Sequence, residues 1–120
     1  MTRLSAIATL VALLSVAPAD AHSLLLGSTP APNSVVTASP PFISLKFNNR
    51  IEKRLCHVRL VDERGVVAVA LVTTRAEDAG ADSVVAKVPP LAPGPWRVEW
   101  QVFSTDGHVV SGTYGFRLAP

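Results

Sequence analysis

Seven consecutive residues, WRVEWQV at positions 96–102, alternate apolar and polar side chains without a break. Successive side chains of a β-strand point to opposite faces. Trp96, Val98, Trp100 and Val102 therefore share one face, and Arg97, Glu99 and Gln101 the other. A helix would scatter the same residues around its circumference, so this stretch commits the chain to a half-buried strand. A tryptophan stripe at this period reads as core packing, with a ligand platform as the alternative.

The same period recurs elsewhere. In PFISLKFNN, Ile43, Leu45 and Phe47 oppose Ser44, Lys46 and Asn48. In CHVRLVD, Cys56, Val58 and Leu60 oppose His57, Arg59 and Val61, and in the last strand Tyr114, Phe116 and Leu118 oppose Gly115 and Arg117. SLLLGS, VVAVALV and SVVAKV supply further short strands, separated by TPAPNS, Glu63-Arg64-Gly65, the polar loop TTRAEDAGAD and the corner PPLAPGP. Beyond the first residues no long stretch carries a 3.6-residue apolar period. About seven short strands with turns roughly every 10 residues predict an all-β, immunoglobulin-like Greek-key sandwich or barrel.

The chain opens differently. Arg3 precedes an apolar run over residues 4–16, Pro18 follows, and Ala19-Asp20-Ala21 sets small residues where a signal peptidase cuts. This is the layout of a secretory signal, and the run falls short of the ~20 residues that span a bilayer as a helix. The expected organisation is a cleaved leader at 1–21 and one domain at 22–120, a mature length of about 100 residues that suits a small β-sandwich. Export predicts a periplasmic protein with no membrane span after cleavage, acting as a monomer. The formal net charge of +2 is slight, and no basic stripe interleaves with aromatics, which argues against nucleic acid. No basic amphipathic helix offers a membrane-surface role.

Cys56 is the single cysteine, so no intramolecular disulfide can form. Its place in an alternating strand predicts a buried small hydrophobe; an intermolecular disulfide or a soft-metal ligand is the alternative. His57 reads as an exposed strand residue.

Cleavage after Ala21 makes His22 the N-terminus, where one residue offers both an α-amine and an imidazole. The two nitrogens can close a chelate ring on one metal ion. Far along the chain, STDGH places Asp106 and His108 either side of Gly107. In an extended segment, residues two apart point the same way, and the glycine allows the backbone to bend. Taken alone, DGH is an ordinary turn sequence. Joined to His22 it would give three nitrogens and one oxygen, a set suited to the tetragonal preference of Cu(II) rather than to tetrahedral zinc.

His22, STPAPNSVV, PFISLKF at 41–47, PLAPGPWRVEWQVFSTDGH and SGTYGFRL together resemble the CopC family of periplasmic copper-resistance and copper-trafficking proteins. The resemblance runs nearly the whole mature length. It implies a β-sandwich that binds one Cu(II) through the amine and imidazole of His22, with Asp106 and His108 completing the site. It implies a non-enzymatic carrier or buffer, with a CopD-type inner-membrane protein as a partner. Two departures matter. Some members hold a carboxylate just after the LKF-type strand, where this chain has Asn48, Asn49 and Arg50, so no accessory acidic ligand is assigned. Others bind Cu(I) through a methionine-rich loop, whereas Met1 is the only methionine here, so no methionine-based Cu(I) site is expected.

Two competing functions remain in view. An N-terminal histidine with a second histidine resembles the histidine brace of copper-dependent polysaccharide monooxygenases. Those enzymes are generally larger, with a flat substrate surface, and an equatorial carboxylate would fill the position that oxygen chemistry needs open. The other is a plain immunoglobulin-like structural module with incidental histidines.

Overall fold

The alternating segment lies in β7, Gly94–Phe103, which pairs antiparallel with β8, Val109–Leu118, from Gly94 opposite Leu118 to Phe103 opposite Val109. The computed structural model describes residues 24–74 and 80–120; the leader, His22 and part of the TTRAEDAGAD loop lie outside them. The remaining strands are β1 (Leu25–Thr29), β2 (Val35–Val36), β3 (Phe42–Phe47), β4 (His57–Asp62), β5 (Val67–Val72) and β6 (Ser83–Lys87). Hydrogen bonding links them in the order β1-β3-β6-β5-β4-β7-β8-β2. Every pairing is antiparallel except that of β2 with β8.

β5 turns this single order into two layers. Its residues 67–70 pair with β4, whereas Leu71 and Val72 pair with Lys87 and Ala86 of β6. Changing partners along its length curls the sheet, so β1-β3-β6 closes over β4-β7-β8. The inward positions of both layers meet in one core of Ile43, Leu45, Phe47, Val58, Leu60, Val84, Ala86, Val98 and Val102. Trp100 packs edge-on against Phe47, with ring centroids 5.2 Å apart and planes at 72°. Fully burying one such aliphatic or aromatic side chain contributes about 1.5–3 kcal/mol. The tryptophan stripe is thus core: Trp96, Val98, Trp100 and Val102 are all buried.

Three local features go beyond the strand pattern read from the sequence. Within the stretch read as a proline-containing turn, Asn33 adopts φ 61° and its N–H reaches the Gly115 carbonyl at 2.7 Å. That contact delivers Val35 and Val36 to the edge of β8 as an eighth strand. Lys53–Leu55 form a 3₁₀ turn ahead of β4. In β5, Val67, Val69 and Leu71 face out, Val69 at 65% and Leu71 at 68% exposed, while small Ala70 faces in and Val72 packs against the core.

Candidate metal centre

Residues 104–108 connect β7 to β8 as a turn. Ser104 bridges to Ile51, and its N–H donates to the His108 carbonyl at 2.9 Å. The Gly107 N–H then donates to the Ser104 carbonyl at 3.0 Å, with Gly107 at φ +91°. That backbone conformation is open to glycine and strained for other residues. Asp106 and His108 are therefore brought together by a tight turn rather than by strand alternation. The separation is short: His108 Nδ1 lies 3.0 Å from Asp106 Oδ1.

The same carboxylate oxygen accepts from the Ser104 hydroxyl and, at 3.2 Å, from the His108 N–H. These bonds, the Ser104 hydroxyl first and the His108 ring next, stabilise the charged form and push the Asp106 carboxyl down to about 2. Asp106 is thus an anion at any ordinary pH. Both side chains stay almost half exposed, at 45% and 46%, so solvent and solutes can reach them. Ser104 is 4% exposed and acts from beneath. Sequence reasoning missed it, although a serine two residues before an aspartate in a turn is a recognisable side-chain-to-backbone bonding signal.

Asp106 and His108 are two potential donors side by side. Among the described residues, no group of three or more His, Cys, Asp and Glu side chains could hold a metal. His22 lies outside those residues, but the chain that leads from it is anchored nearby. The Leu24 N–H donates to Asn48 Oδ1 at 2.7 Å, and the Asn48 N–H donates to the Leu24 carbonyl at 3.1 Å. Two residues further on, the Arg50 carbonyl accepts from the Thr105 N–H at 3.1 Å, and Ile51 bridges Ser104. Leu24 and the Asp106–His108 turn therefore stand at one end of the sandwich, joined through residues 48–51. Two residues span at most about 7 Å of chain.

The other candidates lie elsewhere. His57 sits exposed on the outward face of β4, opposite Gln101. Cys56 is buried as expected; its thiol donates to the Glu52 carbonyl at 3.3 Å, and burial raises its pKa. A raised thiol pKa makes a poor nucleophile and a poor metal ligand. An open depression of about 920 Å³ on the outer face of β4, β5 and β7 is lined by Arg59, Val69 and Glu99, and includes neither Asp106 nor His108. Glu99 there is engaged by Arg59 at 2.7 Å and Arg97 at 2.9 Å, which lower its pKa.

Comparison with known proteins agrees with this architecture. The chain is 32% identical over 98 residues to protein YobA of Escherichia coli K12, covering 82% of this chain and 79% of that one. It is 32% identical over 111 residues to copper resistance protein C of Xanthomonas campestris pv. juglandis, covering 88% and 86%. The crystal structure of CopC from Methylosinus trichosporium OB3b superposes with a TM-score of 0.77 at 30% identity, over 82% of this chain and 95% of that one. Residues 25–119 match the CopC domain, from the start of β1 to the residue after β8. The family resemblance drawn from the strand motifs and STDGH thus extends to the whole eight-strand fold, and this chain belongs to the CopC family.

Proposed function

We propose that the protein is an exported, monomeric Cu(II) carrier or buffer of the periplasm that takes one copper ion per chain. The ligands are the α-amine and imidazole of His22, a carboxylate oxygen of Asp106 and the imidazole of His108. The observation that carries this reading is the half-exposed Asp106–His108 pair at the end of the sandwich where Leu24 is anchored, two residues from His22. Copper resistance protein C is the name of a relative, and the preference for copper here follows it. The donor chemistry supports the same metal, because nitrogen-rich sets with one hard oxygen suit Cu(II).

In this reading each residue has a defined task. Asp106, already an anion, supplies negative charge without first losing a proton. His108 and His22 supply neutral nitrogen donors. Exposure of the turn leaves the ion open to ligand exchange, as transfer to a CopD-type membrane partner requires. The Asp106 carboxylate would fill an equatorial position that oxygen chemistry needs open, which favours a binder over an enzyme. Met1, the only methionine, leaves with the leader, so a thioether Cu(I) site has no donor in the mature chain.

Intact-mass measurement of the exported protein, with and without added Cu(II), tests the proposal. The expected result is a chain starting at His22 that gains the mass of one copper ion. A chain that starts elsewhere, or that gains no copper at micromolar metal, overturns it.

A further inference from the structure

We propose that the free edge of β5 is a docking site for a partner protein: it takes up, as a further strand, an extended apolar segment with a carboxylate at its N-terminal end. The inference rests on the sheet and its exposed side chains and does not depend on the copper reading above.

Two hydrogen bonds fix which way the backbone groups of β5 point. The Asp62 N–H donates to the Val66 carbonyl at 3.0 Å, and the Thr73 N–H donates to the Val85 carbonyl at 2.9 Å. Bonded pairs in an antiparallel ladder recur every second residue. Ala68 and Ala70 therefore turn their backbone groups toward β4, and Val67, Val69 and Leu71 turn theirs away from it. Leu71 finds Lys87 of β6 on that side, and the ladder ends there. Val88 stays with the neighbouring layer, its N–H bonded to the Pro41 carbonyl at 2.9 Å, and the next two residues are prolines. Proline has no N–H to continue a ladder. Among the described residues, the backbone groups of Val67 and Val69 thus have no strand beside them on the side away from β4.

The side chains leave this edge unguarded. Val67, Val69 and Leu71 are exposed, and VVAVALV at 66–72 contains no charge and no proline. Exposed sheet edges ordinarily carry such residues, a bulge or a very short strand, which discourages pairing. The two outermost strands follow that rule, since β1 has a register shift and β2 has two residues. An extended segment laid along Val67 and Val69 would satisfy their backbone groups and cover their side chains. Running antiparallel to β5, it would start beside exposed Lys87, so a carboxylate at its N-terminal end complements that charge. A second copy of this chain fits the edge poorly. Pairing Val67 of one copy with Val69 of the other sets Gly65 opposite Leu71, where Lys87 already lies. The same register brings Arg64 toward Lys87 as a like charge.

The test uses the exported protein without metal and a capped synthetic peptide, one glutamate followed by alternating valines and threonines. Nuclear magnetic resonance follows each backbone amide during titration and hydrogen exchange. The Val67 and Val69 amides should exchange fast in the dilute protein and about five- to tenfold slower with saturating peptide. Two versions of the peptide, N-methylated at alternate residues in opposite phase, distinguish ladder pairing from unspecific contact. One should bind and the other should not, because only one set of peptide amides faces β5. The surface variant Lys87→Glu should weaken binding about threefold. Slow exchange of Val67 and Val69 in the dilute protein alone, no change at millimolar peptide, or equal binding of both methylated versions overturns the docking site. Unchanged affinity in Lys87→Glu overturns the acidic end of the segment. A dimer in sedimentation that protects the same two amides overturns the partner in favour of a second copy.

Discussion

At the scale of single residues, Asp106 and His108 owe their pairing to their immediate neighbours. Gly107 turns the backbone and Ser104 holds the carboxylate from below. Residue type alone does not make a site, as His57 shows from the outward face of β4. His108→Ala should remove one nitrogen from the Cu(II) spectrum and weaken binding sharply, whereas His57→Ala should leave both unchanged; equal losses would contradict the assignment. The α-amine can be tested separately. One alanine added before His22 keeps every side chain but converts the amine to a peptide amide, and chelator competition should show much of the affinity lost. Proton competition gives the pH dependence. Nitrogen donors bind the ion only in their deprotonated form, so affinity should fall as the pH is lowered. Asp106 adds nothing to that slope, because its carboxyl protonates only near 2.

At the scale of elements, the β7–β8 hairpin is both the centre of the core and the support of the site. Gly112 faces Trp100 across this pair, and a Cβ at residue 112 would overlap the indole ring. Gly112→Ala must push that ring aside in a packed interior, so it should destabilise the fold by about 1–3 kcal/mol in a denaturant titration. Little effect would mean that Trp100 has room to move. At the turn of the hairpin, Ser104→Ala removes a buried hydroxyl that bonds Asp106. The loss of that bond should cost about 1 kcal/mol of stability. It should also weaken Cu(II) binding, because the carboxylate is then held only by its contacts with His108.

At the scale of the whole molecule, the core and the site are separate. The core runs from β3 and β6 to β4, β7 and β8 and contains neither Asp106 nor His108. The metal-free protein should therefore stay folded. Copper bound to the folded state alone should still raise stability by mass action, about 2.7 kcal/mol at a free ion concentration one hundred times the Kd. Thermal melts with and without a chelator would check this. Removing the metal should lower the midpoint without abolishing the cooperative transition. A chain that loses its fold on chelation would place the metal in the core of the stability, against this separation.

The sequence by itself determined the inward face of the longest strand, because a period of two leaves no other assignment for Trp96, Val98, Trp100 and Val102; in β4 it placed Val61 outward, whereas Val61 is buried. It also named the chemistry of Asp106 and His108, since an anion and an imidazole either side of a glycine are visible in one line. Tertiary structure decided what depends on partners distant in the chain. The two-residue β2 exists only because Asn33 reaches Gly115, and β5 divides its pairing between β4 and β6 to curl the sheet. The hydrogen bonds of Asn48 with Leu24 and of Thr105 with Arg50 likewise join segments that no local pattern links. Hydrogen bonds between distant segments leave no periodicity to read, so the link from Leu24 through residues 48–51 to the STDGH turn came from the fold.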